Sequence, residues 1–404
     1  MTLPAIAALA LVLSCSPQPT ARPNRPASEA AMQAAAAGIN GLAASLFGEL
    51  GKEAGNLAFS PFSIATALAM AGAGASDASA TEMSKVLGLA LDNPEAHAGV
   101  GQLAWMVQQS TDVKMRVANR VYVKHALTLA EPFVATMKEA YAVPIQPVDF
   151  GAEATRLDIN AWVEQQTDNK IKQLIPAGVL DKETRLVLVN AIYFLGKWEE
   201  AFPKSATQPA PFFTAPDEQK DVPMMADTRR LSYAGLGDAE LVVLPYRGGS
   251  FSMSLLIPKA IDGLPALEKR FSAALLTPSV VEKQIDFAMP RFRVESTSSL
   301  GPALSTAGMP TPFECSDVGR LNNLAPNLCI SAVLHKAFVD VTEEGTEAAA
   351  ASAVTIMLTS LPPKIHVVRA DRPFLFAITH QESGAILFLG RVADPHPSPS
   401  GQPD

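Results

Sequence analysis

Glu343-Glu-Gly-Thr-Glu-Ala-Ala-Ala-Ala-Ser-Ala353 is the stretch on which the reading of this chain turns. Gly345 frees the backbone, and nearly every side chain after it is tiny: Ala348, Ala349, Ala350, Ala351 and Ser352. An isolated alanine run reads first as a flexible or helical linker. Alternation argues for something else. Drawn out as a strand, the segment turns Thr346, Ala348, Ala350, Ser352, Val354 and Ile356 to one side. None of these is charged, and the single charge just beyond Gly345, Glu347, falls on the opposite face. Such a segment can slide between two existing strands without burying a charge. The same residues therefore suit an exposed loop and a central strand.

Around this stretch stand blocks that, taken together, resemble the serpin family. Glu343–Ala353 is similar to the hinge of inhibitory serpins. Asn56-Leu-Ala-Phe-Ser-Pro-Phe-Ser-Ile-Ala-Thr-Ala-Leu-Ala-Met70 resembles the family's second helix, and Leu188-Val-Asn-Ala-Ile-Tyr-Phe-Leu-Gly-Lys-Trp198 its central strand. Met289-Pro-Arg-Phe-Arg-Val294 resembles a further block, although it is less specific. His335-Lys-Ala-Phe-Val-Asp340 leads into the hinge, and Asp371-Arg-Pro-Phe-Leu-Phe376 with Leu387-Phe-Leu-Gly-Arg391 closes the domain. The likeness spans roughly Ala30 to Pro395, with the blocks in family order.

The resemblance implies an α+β fold with a large mixed main sheet, further smaller sheets, a helical N-terminal half and an exposed reactive-centre loop. It implies a suicide-substrate inhibitor of serine proteases. Cleavage of the loop lets the hinge, Gly345 to Ile356, enter the main sheet as a new strand, dragging along an enzyme still acylated on the loop. Inhibition then requires insertion faster than deacylation, which small hinge side chains favour. The alternative function is that of a non-inhibitory member acting as a binding or carrier protein. Such members typically carry charged or bulky inward hinge residues, and this hinge has none.

Counting sixteen positions from Glu343, as the family's spacing implies, places the cut bond at Thr359-Ser360. Leu358 and Met357 are alternative cleavage points. Pro362 and Pro363 beyond the bond favour an extended backbone that a protease cleft can take. The apolar residues before Thr359 point to elastase-like or subtilisin-like enzymes, with papain-like cysteine proteases also open. They argue against trypsin-like enzymes, whose acidic pocket takes Lys or Arg. Ser60, Ser63, Asn190 and His335 fall on positions that the family uses to gate the main sheet; Ser60 before Pro61 also reads as a helix cap. Trp198, Arg291 and Glu343 fall where the loop first enters, and an Arg291–Glu343 pair is expected to hold the hinge's base.

Composition agrees with a large globular core: 48% of residues are hydrophobic and 18% charged. The formal charge of −8 argues against a nucleic-acid partner, since binding phosphates needs a basic face. No P-loop, zinc-protease helix, CxxC pair or GxSxG elbow is present, so neither an enzyme nor a metal or other cofactor is expected. Gly99-Val-Gly-Gln-Leu-Ala104 matches a loose dinucleotide fingerprint, but turn-like residues precede it where that motif needs a strand.

Helices are expected at Ala30–Leu50, Ser63–Gly72 and Ile159–Gln173. Strands are expected at Val113–Val123, Leu186–Phe194, Leu241–Leu244, Ser252–Ile257, Ile285–Val294, Cys329–Val341, Phe374–Thr379 and Ala385–Arg391. Cys315 and Cys329 are either a disulfide or two buried thiols. At the start, the apolar run Leu3–Leu13 is too short to cross a bilayer. It reads as the core of a signal peptide over residues 1–14, although Met1–Leu13 contains no Lys or Arg. Val12-Leu-Ser-Cys15 resembles a bacterial lipobox, which makes Cys15 the acylated residue of a cell-surface or periplasmic lipoprotein. Residues 15–29 then form a proline-rich tether, 30–394 the domain and 395–404 a disordered tail. The expected partners are a serine protease and, through the lipid, a membrane. The expected state is a monomer.

Overall fold

The computed structural model describes residues 21–315, 320–326, 328–346 and 365–396, without the side chains at 118 and 190. The first helix, Glu29–Leu50, opens where the Ser28 hydroxyl accepts the Ala31 amide, and it buries Ala35, Ile39, Leu42 and Leu46 at helical spacing. Its length and apolarity would suffice to span a bilayer, yet that face lies in the protein core. The second helix, Pro61–Gly72, is buried along its whole length. It packs against the first helix, the helices Asp77–Leu87 and Pro94–Met106, and the strands Leu186–Lys197 and Ile386–Val392, which is why its residues are almost all apolar or small. The loose glycine motif at residues 99–104 lies inside the helix Pro94–Met106, with no strand before it. A Cβ on Gly101 would meet the Ala140 carbonyl oxygen at 1.7 Å, so the glycine is there for close helix packing.

Among the described residues the main sheet has six strands, in the order Phe292–Ser299, Leu334–Thr342, Gly345–Thr346, Leu186–Lys197, Val113–Lys124 and Ile145–Val148. It is mixed: Ile145–Val148 runs parallel to its neighbour and the other pairs are antiparallel. The remaining strands run into one another through the long strand Glu218–Gly235. It pairs successively with Gln208–Ala215, Val281–Pro290 and Ala239–Pro245, giving a nine-stranded ladder. Helices dominate the first 166 residues and strands the rest, as the α+β expectation had it.

Three expected elements are redrawn. Ile285–Val294 is two strands in two sheets: Val281–Pro290 belongs to the nine-stranded ladder and Phe292–Ser299 to the main sheet. The chain changes sheets at Arg291, whose amide donates to the Pro223 carbonyl at 2.9 Å. Ile159–Gln173 is the helix Glu153–Gln166, which ends before Asp168 and Asn169, both at positive φ. Ile171 lies beyond that helix but packs in the same cluster as Ile159 and Val163, hence the apparent periodicity. Cys329 is not in a strand; it is bonded to Cys315 (Cα–Cα 5.3 Å), and the strand starts at Leu334.

This bridge spans fourteen positions. Its loss in Cys329→Ala should cost about 3 kcal/mol in equilibrium urea unfolding. Unchanged stability would show that the bond contributes nothing in solution.

Candidate functional site

The site is a gap in the main sheet with a wedge at one end. Gly345–Thr346 sits as a two-residue strand between Leu334–Thr342 and Leu186–Lys197, antiparallel to both. The two long strands are therefore parallel to each other. Among the described residues this stub supplies the only ladder between them.

Gly345 adopts φ +149°, and a Cβ there would lie 2.1 Å from the Gly196 carbonyl oxygen. Only glycine fits. Thr346 faces Gly196 on one side and Val341 on the other. It is 1% exposed, and its hydroxyl shares a 2.6 Å hydrogen bond with the Tyr246 hydroxyl. Burial pushes the Tyr246 phenol far above its ordinary pKa, so it stays neutral and available for this bond. Tyr246 in turn stacks on Trp198, with centroids 4.6 Å apart, and the Trp198 indole donates to the Thr342 carbonyl at 3.0 Å.

The base of the hinge is fixed by charge. Arg291 Nε lies 3.1 Å from Glu343 Oε2, and the Thr207 hydroxyl donates to Glu343 Oε1 at 2.7 Å. The expected Arg291–Glu343 pair is present, around a carboxylate that is nearly sealed from solvent. The next residue, Glu344, pairs with Lys204 at 2.5 Å. Burial works against the charged Glu344 carboxylate. The Lys204 ammonium and the backbone and Thr342 donors outweigh it and hold the pKa below the ordinary value. The Trp198 and Phe202 amides donate to the carbonyls of Glu344 and Glu343 at 2.9 and 2.8 Å. The segment carrying Phe202 is itself clamped by Arg229, which is ion-paired to Asp227, donates to the Glu200 and Ala201 carbonyls and lies over the Phe202 ring.

The expected gate lies further down the strands. The Ser60 amide donates to His335 Nε2 at 2.9 Å, joining the start of the buried helix to the strand beside the gap. Ser60 also caps that helix, its hydroxyl accepting the Ser63 amide at 3.1 Å, so the cap and the contact to His335 coexist. Ser63 Oγ is buried with no hydrogen bond among the described residues. Asn190 is placed in Leu186–Lys197 opposite Asn119, and its side chain lies outside the described part. Burial pushes His335 down to about 4, so the ring is neutral and Nε2 is free to accept.

Glu347, Ala348, Ala349, Ala350, Ala351 and Ser352 of the hinge, Met357–Ser360 of the bait and Cys15 lie outside the described residues. Tyr246, Thr207, Lys204, Phe202 and Arg229 were missed by the sequence reading. Each reaches the hinge through tertiary packing, and no local pattern announces it. Gly196 was quoted in its block, but nothing in its neighbours says that a hinge would press on it.

The sequence profile described as "Serpin (serine protease inhibitor)" matches residues 37–395. The chain is similar to "Iris" of Ixodes ricinus, 37% identical over 351 residues, covering 84% of this chain and 93% of that protein. It is similar to "Leukocyte elastase inhibitor" of Bos taurus, 38% identical over 357 residues, covering 85% and 94%. Among solved structures it resembles Serpin48 of the insect Tenebrio molitor, described as a highly specific serpin. The TM-score is 0.80 at 31% identity, covering 91% of this chain and 99% of that one.

The gate should be acid-sensitive. Protonating His335 at Nε2 removes the acceptor for the Ser60 amide. A histidine whose pKa is lowered by folding favours the folded state above its unfolded value, near 6.5, and loses that contribution as pH falls towards 4. We expect the wild type to lose up to about 3 kcal/mol over that window relative to His335→Gln. His97 and His380 shift the same way in both proteins, so the difference isolates His335. Parallel stability curves for the two proteins would contradict this.

Proposed function

The chain belongs to the serpin family, and from that premise we propose that it traps serine proteases as a suicide substrate cut near Thr359-Ser360. The observation that carries the reading is Thr346, which already occupies a strand position, buried, in register with both long strands. Extending that register by alternation brings Ser352 opposite Asn190 and His335, so the insert would pass directly over the gate. Val354 would arrive opposite Leu188, and Ile356 opposite Leu186. Leu186, Leu188 and Val333 all belong to the large apolar core. Even-numbered strand residues such as Ile192 and Phe194 face the large core, so the even-numbered hinge residues would face it too. That is the face on which the hinge carries no charge.

Elastase-like or subtilisin-like targets fit the apolar residues before Thr359. The reading also takes Cys15 as a lipid-bearing residue of a bacterial surface or periplasmic lipoprotein, with the domain acting as a monomer. Two observations support export: the Val12-Leu-Ser-Cys15 pattern and the Cys315–Cys329 disulfide, a bond suited to an oxidising compartment.

Mixing the protein with pancreatic elastase and with subtilisin should give a covalent complex that survives a denaturing gel. Cleavage without complex for every serine protease tried would instead fit a binding or carrier serpin. Thr346→Arg puts a guanidinium where Tyr246 now binds a hydroxyl. The yield of complex should fall at least ten-fold while cleavage continues and the intact variant stays folded. A cleaved wild type that melts no higher than the intact protein would count equally against insertion.

A further inference from the structure

The proline-rich segment after Cys15 reads from sequence as a free tether up to residue 29. Its last part is not free. Arg22 places its guanidinium over the Trp105 ring, 5.0 Å from the centroid, and Pro23 is buried. The Arg25 amide donates to the Glu139 carbonyl at 2.9 Å, and its guanidinium lies 3.3 Å from the Glu139 carboxylate. The Ser28 amide donates to Glu95 Oε1 at 2.9 Å. The segment thus runs back along the helix Pro94–Met106, from Trp105 near its end to Glu95 in its first turn. On the way it touches the helical turn Met137–Tyr141. Pro23 and Pro26 stiffen the segment, which reduces the conformational freedom lost on docking.

We propose that residues 22–28 form a strap that moves the exit of the tether from Ser28 to Trp105, so that a lipid on Cys15 holds the flank of the helix Pro94–Met106 close against a phospholipid bilayer. Chain length makes the difference large. From Cys15 to Arg22 there are seven residue steps, a reach of about 25 Å at full extension; from Cys15 to Ser28 there are thirteen, or about 45 Å. With the strap seated, the domain cannot stand off the membrane by its own diameter and is held by one side. That side is the Ile145–Val148 edge of the main sheet, since the turn Met137–Tyr141 feeds this edge strand. Two strands, Val113–Lys124 and Leu186–Lys197, separate the edge from the seat of Thr346.

The proposal rests on the lipoprotein reading, and two measurements separate them. In the full chain, hydrogen exchange at the Arg25 and Ser28 amides should be at least ten-fold slower than in Arg22→Ala/Trp105→Ala. Exchange at the rate of unstructured chain in the wild type overturns the strap. Cys15 is the one cysteine outside the Cys315–Cys329 pair, so the chain from Cys15 onward can be coupled to a maleimide lipid in a phosphatidylcholine bilayer. Neutron reflectometry should then place the protein layer within about 25 Å of the headgroups. For the double variant the layer should be thicker and more diffuse. Identical layers for the two proteins overturn the orientation, whether or not a cell acylates Cys15. The mass of the N-terminal peptide from expressing cells decides acylation independently, and an unmodified Cys15 sinks the lipoprotein reading.

Discussion

Backbone N–H and C=O groups along a strand demand partners. The only ladder described between Leu186–Lys197 and Leu334–Thr342 runs through two residues, Gly345 and Thr346. Two long parallel strands are thus held side by side with a place for a third between them, and its first residues already lie in that place. The rest of the molecule is arranged around this condition. The buried helix Pro61–Gly72 packs against Leu186–Lys197 from behind, its first turn tied to His335 through the Ser60 amide. The carboxylate of Glu343 is fixed by Arg291 and Thr207 at the point where the chain turns into the gap.

The chemistry at the two ends of the gap differs. At the upper end the contacts are charged or bulky: Glu343 and Glu344 with Arg291 and Lys204, then the stacked Trp198 and Tyr246. These groups set a register, because the glycine backbone and the threonine hydroxyl fit in one way only. Lower down, the joining contact among the described residues is a hydrogen bond to a neutral imidazole, and below it Leu186, Leu188 and Val333 face the large apolar core. A strand arriving from above would therefore meet steric selection first, a polar joint second and an apolar floor last. Small side chains satisfy the first, Ser352 suits the second, and Val354 and Ile356 suit the third.

Much of this was legible in the residues. Gly345 and Thr346 announced themselves by the alternation that follows them, and Arg291 and His335 by the blocks in which they stand. What was not legible was brought together by tertiary packing. Tyr246 lies a hundred positions before the threonine it binds, and Arg229 acts on the hinge only through the backbone that carries Phe202. The element errors have a common cause. Apolar alternation across residues 285–294 looks continuous, yet Ile285, Phe287 and Met289 are odd-numbered while Phe292 and Val294 are even-numbered. That break in phase is where the chain leaves one sheet for another. Likewise Ile171 extends a helical pattern because it packs against the helix, after the helix has ended at Gln166.

The segment that runs along the helix Pro94–Met106 has a consequence for its own survival among proteases of other specificities. Its two arginines are each followed by proline, Arg22-Pro23 and Arg25-Pro26. A trypsin-like cleft takes an arginine readily, but a proline after the scissile bond lacks an amide hydrogen and locks φ, so such bonds resist hydrolysis. The basic side chains that pin the segment to Trp105 and Glu139 thus do not make it a ready site for trypsin-like cleavage.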